Sequence, residues 1–559
     1  VNPKEIIKKS KGRYLIDFGK VAFGFLHIDF LVTKKSWRKL EIHLAERGNL
    51  KGVNKRPGRS IRYYKLRISL KNGKISLDIH PPQNLRNTTN PSAIKIPEEI
   101  GVVEPFRYVE IVHCPLPLEK NMIQQIAVHY PFDENASSFD CSDPLLNDIW
   151  GLCKYSIKAT SFCGVYVDGD RERVPYEADA YINQLCHYAV DREFSLARYS
   201  HEYLLFHPTW PTEWKHHSVL MAWTDWMYTG NLDSLRQYYD VLKTKTLGNH
   251  AREDGLLNTK ELRDNVDWPK GERDNYEFKE VNTVMNAFYY KTLLQMSDIA
   301  GAIGKSSEAN EFQQKAAKVK ETFNRAFFDP SQGVYLDGEG ATHASLHANM
   351  WPLAFGLVPE DRKSGVVDFV ISKGMACSVY AAQYLLEGLY EAGRSDIALK
   401  RMTATDLRSW YNMIRVGSTI TLEAWDNQFK PNQDWNHAWG AAPGNIIPRY
   451  LMGIRPLEPG FSKVLIQPQP ASLKSATITI PTIRGPISVS FENNPPHSFA
   501  MQIEIPVNTV AKVGIPHYSS NSCMIYVDGK QTQATTTNGY LFVDSIGSGV
   551  HQFVHKNQV

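Results

Sequence analysis

The 559-residue chain has no run of eighteen or so apolar residues, so its sequence offers no membrane-spanning helix. It has seven cysteines, none in a CxxC pair or in a Cys/His pattern with zinc spacing, which excludes a disulfide scaffold and a structural zinc site as organising features. The odd count and the low density read as buried thiols and leave the redox compartment open. No fixed-period repeat is visible, which argues against a solenoid. No Walker or zinc-finger signature accompanies the basic residues, so nucleic acid is not an expected partner. The chain opens at Val1 without a leader-like apolar stretch. Export is the slightly favoured expectation, with the cytoplasm as the alternative.

What is present is an ordinary soluble composition, 42% hydrophobic and 22% charged, with 12 Trp, 27 Tyr and 24 Phe. Rings in that number serve cores, and they also pack against the C–H faces of sugars. The net charge of +4 hides an asymmetry: residues 1–100 hold 22 Lys and Arg against 8 Asp and Glu. A basic lobe followed by an acidic remainder predicts modules with different partners. An acidic polysaccharide would suit the basic face, and a solvated surface is the plain alternative.

The texture changes twice. Residues 13–130 alternate apolar and β-branched runs, such as Ala22 to Phe30 and Leu40 to Leu44, with Gly, Asn, Pro and Lys turns between them. From about residue 140 roughly twelve segments of helical period follow, some opening at signals such as Ser142-Asp143-Pro144 and others closing at Gly230 or Gly393. After Gly453 strands return, with Asp528-Gly529 and Asn538-Gly539 as hairpin turns. The expected domains are an N-terminal β-sandwich over 1–137, an (α/α)6 toroid over 138–453 and a C-terminal β-sandwich over 454–559.

Two stretches carry chemistry. Asp168-Gly169-Asp170-Arg171-Glu172-Arg173-Val174-Pro175-Tyr176-Glu177-Ala178-Asp179 sets carboxylates and guanidinium groups at the entry to a helix. Pro175 places Glu172 on the preceding loop and Asp179 inside the first turn. Leu422-Glu423-Ala424-Trp425-Asp426, followed by Asp434-Trp435-Asn436-His437, sets a single acid among rings. A solvated charged loop and a structural core Glu are the bland readings. Two remote acids in different surroundings match glycoside hydrolysis, where one protonates the leaving oxygen and the other activates water or attacks the anomeric carbon. Arg171 and Arg173 would orient neighbouring carboxylates by bidentate pairing.

On these residues the chain resembles glycoside hydrolase family 78, the α-L-rhamnosidases, over about residues 10–520. The resemblance implies Glu172 as general acid and Glu423 as general base. It also implies Asp179 and His437 as sugar contacts, and an inverting, metal-independent release of terminal L-rhamnose from an oligo- or polysaccharide. Asp168, Arg173, Tyr176, Trp223, Asp267, Trp268 and Trp425 complete the expected substrate-binding set, and no cofactor is expected. The chain departs from the family pattern in three ways. Tyr176 stands where Trp is usual, Asp168 lies closer to Glu172 than the family's first Asp, and only one N-terminal sandwich fits, without an acidic calcium loop. His216-His217 and the His343/His347 pair are poor ligand sets for a metal. Three alternatives stay open: a toroidal polysaccharide lyase using Tyr166, Tyr176, His216 or His217 as base, a toroidal hydrolase acting on a different glycan, and a non-catalytic glycan-binding protein.

Overall fold

The structure is a computed structural model that describes residues 1–33, 39–58, 60–518 and 524–556. Cys523, one of the seven thiols, lies outside the described residues. The other six are free, and all but Cys163 are buried. The chain divides into two compact units. Unit 1 comprises residues 1–132, 155–175 and 412–440, and unit 2 comprises 133–154, 176–411 and 441–559.

Unit 1 is built on one seven-stranded sheet. Its spine is the 20-residue strand Arg13–Val32. The register of this strand against Glu104–Val112 slips between Asp17 and Ala22, where Gly19 takes φ 89°. That bulge bends the strand, so its second half pairs with Gly73–Ile79 and Ile123–Ala127 instead. Alternate residues point inward. Ile16, Leu26, Ile28 and Phe30 meet Leu40, Ile42, Leu44 and Val109 in a dry core. Each such side chain contributes about 1.5–3 kcal/mol of burial. A short helix, α1 (Leu85–Thr89), is capped by Asn84, whose side chain accepts the Arg86 N–H.

The remaining helices are α2 (Pro144–Thr160), α3 (Glu177–Val190), α4 (Ser195–Phe206), α5 (Thr212–Thr229), α6 (Asp233–Lys245) and α7 (Thr283–Ala302). They continue with α8 (Ser306–Ala326), α9 (Leu346–Ala354), α10 (Glu360–Lys373), α11 (Ala382–Glu391), α12 (Ser395–Met402), α13 (Trp410–Arg415) and α14 (Pro443–Ile446). Two kinds alternate. Helix α3 is buried at every residue, and α5, α7, α9 and α11 at most. Helices α8 and α10 bury one stripe, as surface helices do. The buried ones follow one another in space: α3 packs on α5, α5 on α7, α7 on α9, α9 on α11, α11 on α14, and α14 on α3. Hairpin partners such as α8 against α7 and α10 against α9 lie outside them.

The helical periods expected from sequence correspond to these helices with local differences. The segment at 396–408 stops at Met402, and α13 was not foreseen. The segment at 437–452 breaks into a short 3₁₀ turn, α14 and a π-turn over Ile447–Leu451, where Pro448 cannot donate to a regular ladder. Ser138–Cys141, assigned from sequence to the helical region, is a strand that pairs with Ser475–Ile480. It joins a seven-stranded C-terminal sheet beside a five-stranded one. Both Asp528-Gly529 and Asn538-Gly539 adopt positive φ at the two turn positions, as tight hairpins require. No described helix is long and apolar enough to cross a membrane.

Candidate active site

The second stretch and residues 168–175 of the first fold into unit 1, on loops against the N-terminal sheet, while residues 176–179 belong to unit 2. Arg171 is the centre. It is buried, and it donates to both oxygens of Glu423, Nη1 to Oε2 at 2.7 Å and Nη2 to Oε1 at 3.0 Å. Its Nε lies 3.5 Å from Glu172 Oε1. One guanidinium therefore touches both acids, which holds their nearest oxygens within about 9 Å of each other. The bidentate pairing expected of Arg171 is formed, and it is formed with the remote acid.

Glu423 is almost wholly enclosed. Besides Arg171, Lys430 Nζ reaches Oε1 at 2.5 Å and the Asp434 N–H reaches Oε2 at 2.9 Å. Burial works against its charge, but Arg171, then His437 and Lys430, hold its carboxyl down to about 2. Glu172 is more open, its side chain 24% exposed, and Arg86 of α1 reaches its Oε1 at 2.6 Å. The two acids thus sit in unlike surroundings, one sealed among cations and one at the surface.

The loop between Asp168 and Pro175 is braced by further buried charge. Asp168 accepts the Val174 N–H at 3.0 Å and returns its own N–H to Val174 O. Asp170 accepts from Arg62 and, at 2.6 Å, from Arg173 Nη2, while its N–H donates to Asn436 at 2.8 Å. Arg173, at φ 55°, also reaches the Val103 carbonyl and Glu104. Glu46, at the far side of Asn436, is pushed up to about 8 by burial. These contacts make Asp168 and Arg173 braces of the loop. Trp425 is likewise fully buried, in the core. His437 is buried and stacks on Trp439 at 4.7 Å.

Unit 2 carries the rest. Tyr176 caps α3 in extended conformation, one residue after Pro175, and Asp179 lies buried in the first turn. The start of α5 presents Trp214, whose ring meets Tyr176 edge-on at 5.3 Å, with Trp210 and Tyr380 each 6.5 Å away. Beside it the Asn265–Trp268 loop is pinned. Glu213 accepts the N–H of Asn265 and of Val266, and Val266 holds φ 64°, a strained value for a β-branched residue. Burial, reinforced by Asp264, pushes Glu213 up to about 7. Asp267 is fully buried and accepts from His347 at 2.8 Å, from the Ser378 N–H at 2.9 Å and hydroxyl, and from the Trp268 N–H at 2.8 Å. Both of its oxygens are committed, so it orients Trp268, which is itself half-buried.

Trp223 is a residue of α5. It lies ten residues past Glu213, about 15 Å along α5. There its indole donates to Asp298 of α7 at 2.9 Å. The two adjacent histidines are core residues. His216 bonds the Thr246 carbonyl, and His217 the Tyr384 hydroxyl at 2.7 Å. Burial lowers them to about 4 and about 3. Sequence reasoning missed Arg62, Arg86, Glu46, Glu104 and Lys430. No local signal marks them beyond the basic excess of the first hundred residues.

Ligand atoms of Glu423, Asp434 and His437 gather within 4.8 Å. Arg171 and Lys430 already occupy Glu423 there, a donor set that does not suit a metal cation.

The chain matches the bacterial alpha-L-rhamnosidase 6 hairpin glycosidase domain over residues 134–451 and the bacterial alpha-L-rhamnosidase C-terminal domain over 453–525. It belongs to this family, the α-L-rhamnosidases of glycoside hydrolase family 78. An alpha-L-rhamnosidase of Formosa agariphila is 23% identical over 617 residues, which take in 100% of this chain and 61% of that protein. One from Alteromonas sp. (strain LOR) is 26% identical over 55% of this chain and 35% of its own. Among solved structures, the alpha-L-rhamnosidase from Dictyoglumus thermophilum superposes with TM-score 0.81 at 20% identity, over 100% of this chain and 63% of that one. The Streptomyces avermitilis enzyme complexed with L-rhamnose gives 0.78 at 17% identity, over 99% of this chain and 53% of that one. The chain spans less than two thirds of the length of these relatives, and the structural likeness is one of fold.

Proposed function

We propose that the protein is an exo-acting, inverting glycoside hydrolase that releases terminal α-L-rhamnose from rhamnosides or rhamnose-containing polysaccharides. The observation that carries this reading is the shared guanidinium: Arg171 touches Glu172 and Glu423, two acids 251 positions apart in the chain. Glu172, the accessible one, gives its proton to the glycosidic oxygen as the bond from the anomeric carbon breaks. Glu423, held as a carboxylate, takes a proton from the water that attacks the opposite face, which yields β-L-rhamnose. Lys430, on a flexible stem, is the donor that yields its place on Glu423 to that water. The inverting geometry needs carboxyl groups ~6.5–9.5 Å apart, against ~5–5.5 Å for retention. The span of one guanidinium with a contact on each side accommodates the longer range.

In this reading the inner helices close into an (α/α)6 toroid, and the sheets at either end of the chain form the sandwiches. Tyr176, Asp179 and Trp268 are the sugar contacts of unit 2, with Trp210 and Trp214 beside Tyr176, and His437 is a sugar contact of unit 1. Asp168, Arg173, Asp267 and Trp425 hold the residues that make these contacts. An acidic glycan suits Arg86 and the basic lobe around it. The lyase alternative loses its histidines, because His216 and His217 are fully buried and hydrogen-bonded within the helical packing. The test is a panel of nitrophenyl glycosides with the first-formed anomer followed by NMR. Hydrolysis of the α-L-rhamnoside with β-rhamnose appearing first is expected. No hydrolysis, or the α anomer first, overturns the reading.

A further inference from the structure

Neither acid role uses Asp434, yet it is the carboxyl nearest to Glu423 in both backbone and side chain. The Glu423 N–H donates to Asp434 O at 3.1 Å, and the Asp434 N–H donates back to Glu423 Oε2 at 2.9 Å. This two-way tie sets the side chains next to one another, with acceptor atoms within 4.8 Å. Asp434 is fully buried. Its Oδ2 accepts the Arg171 N–H at 3.3 Å, and its Oδ1 has no hydrogen-bond partner. The loop that carries Glu172 closes over it at Gly169, φ 150°, where a Cβ would sit 2.9 Å from Asp434 Oδ2. Only glycine lets the acid loop approach so closely.

Two carboxyls in one dry space cannot both be charged without cost, so their protons divide unequally. Glu423 has Arg171 and Lys430 on its oxygens. Asp434 has a backbone N–H alone, and burial first, then the charge of Glu423, pushes it up to about 6. The charged and titratable groups that face it are Arg171, Glu423, His437 and Asp170, and Lys430 faces Glu423.

We propose that Asp434 is a positioning residue that acts through Glu423, as the proton-holding member of a buried carboxyl pair: protonated, it leaves Glu423 a weak base neutralised by its cations, and ionised, it strengthens the grip of Glu423 on the proton taken from water. The inference rests on the base role proposed above. In the reaction the water oxygen bonds to the anomeric carbon, its proton passes to Glu423, and that proton leaves to solvent once product departs.

The test is kcat against pH, from 4.5 to 8.5, for the wild-type chain and Asp434→Asn. The wild type should gain activity as pH rises through about 6. The variant should lack that inflection and fall about tenfold in kcat above pH 7, with KM within about twofold. An inflection that survives in Asp434→Asn, or a wild type without one, overturns the proposal. Asp434→Ser replaces the variant should it not fold. A second measurement needs no turnover: the infrared difference spectrum, wild type minus variant, should carry the band of a protonated carboxylic acid at pH 5 that is lost as pH rises through about 6. Failure of hydrolysis with that band intact sinks the base role of Glu423 and leaves the pair standing. A missing band sinks the pair.

Discussion

Around the acid loops of unit 1 the buried polar groups are opposite charges in contact, whereas around His217 of unit 2 they are hydrogen bonds among rings. Arg62, Arg171 and Arg173 are interleaved with Glu104, Asp170 and Glu423 around the two acid loops. The middle of unit 2 holds His217 bonded to Tyr384, with Phe288, Trp351 and Tyr380 packed about them. The contrast follows from what each unit positions. A carboxylate must be aimed and kept in one ionisation state, and a fixed guanidinium does both. Helices packed on one another need only filled volume and satisfied hydroxyls. The difference also sets how each unit fails. Removing one member of a buried ion pair leaves an uncompensated charge, while trimming a neutral partner leaves a small defect.

The largest effects expected test this within the acid pair itself. Glu172→Gln and Glu423→Gln should each lower kcat by about 10²–10⁴-fold, the range for a lost acid–base group. They should part in stability. Glu423→Gln strands Arg171 and Lys430 and should cost about 3–5 kcal/mol in denaturant unfolding. Glu172→Gln breaks a partly exposed pair and should cost about 1 kcal/mol or less. Equal stabilities for the two variants would break the contrast drawn between a sealed acid and an open one.

Next in size is a matched pair across the units. Arg62→Met removes a cation from Asp170 and Glu104 and should destabilise by several kcal/mol, about 3 or more. Tyr384→Phe removes one neutral hydrogen bond from His217 and should cost about 1 kcal/mol. Chemical unfolding of both variants checks the ranking, and a larger cost for Tyr384→Phe reverses it.

A smaller effect concerns pH. Glu46 is pushed up to about 8 and Glu104 is raised as well, chiefly by burial. Between the ordinary carboxyl range near 4.5 and about pH 8, the folded chain keeps protons that the unfolded chain has released. Stability from these two groups is therefore complete below pH 4.5 and is lost as pH rises toward 8. The unfolding midpoint should fall across that window, and Glu46→Gln should flatten the fall by a few degrees. A midpoint that rises from pH 5 to 8, or a slope unchanged in the variant, removes Glu46 from that role. The smallest effect is at Trp223. Bonded to Asp298 well along α5, it should tolerate Phe with kcat/KM within about twofold on the nitrophenyl rhamnoside. A tenfold loss would return it to the sugar-holding set.

Much of the architecture is legible in the chain. Periodicity marks most of the helices from α2 to α12, because an inner or outer helix must bury a face of period 3.6 whatever its neighbours. The hairpins at Asp528-Gly529 and Asn538-Gly539 are legible because type I′ turns demand those residues. The boundary at Ser138 misleads, since a four-residue strand bears no mark of the distant strand it will join. The acid loops are legible as charge and aromatic clusters, but their attachment to the N-terminal sheet is not. The place of Trp223 is not legible for a related reason. A Trp on a buried helix looks the same from sequence whether it sits at the end that carries Glu213 or halfway along.

By itself the sequence determined most of the elements and singled out the two charged stretches, because local propensity and residue chemistry act over a few positions. Only the tertiary structure decided the state of the two acids within them. Arg62 and Arg86 come from far upstream, Lys430 and Asp434 from a loop around Glu423, and Arg171 bridges a separation of 251 positions. Charge, burial and proton affinity depend on atoms within a few ångströms, and which atoms those are is settled by the fold rather than by neighbours along the chain.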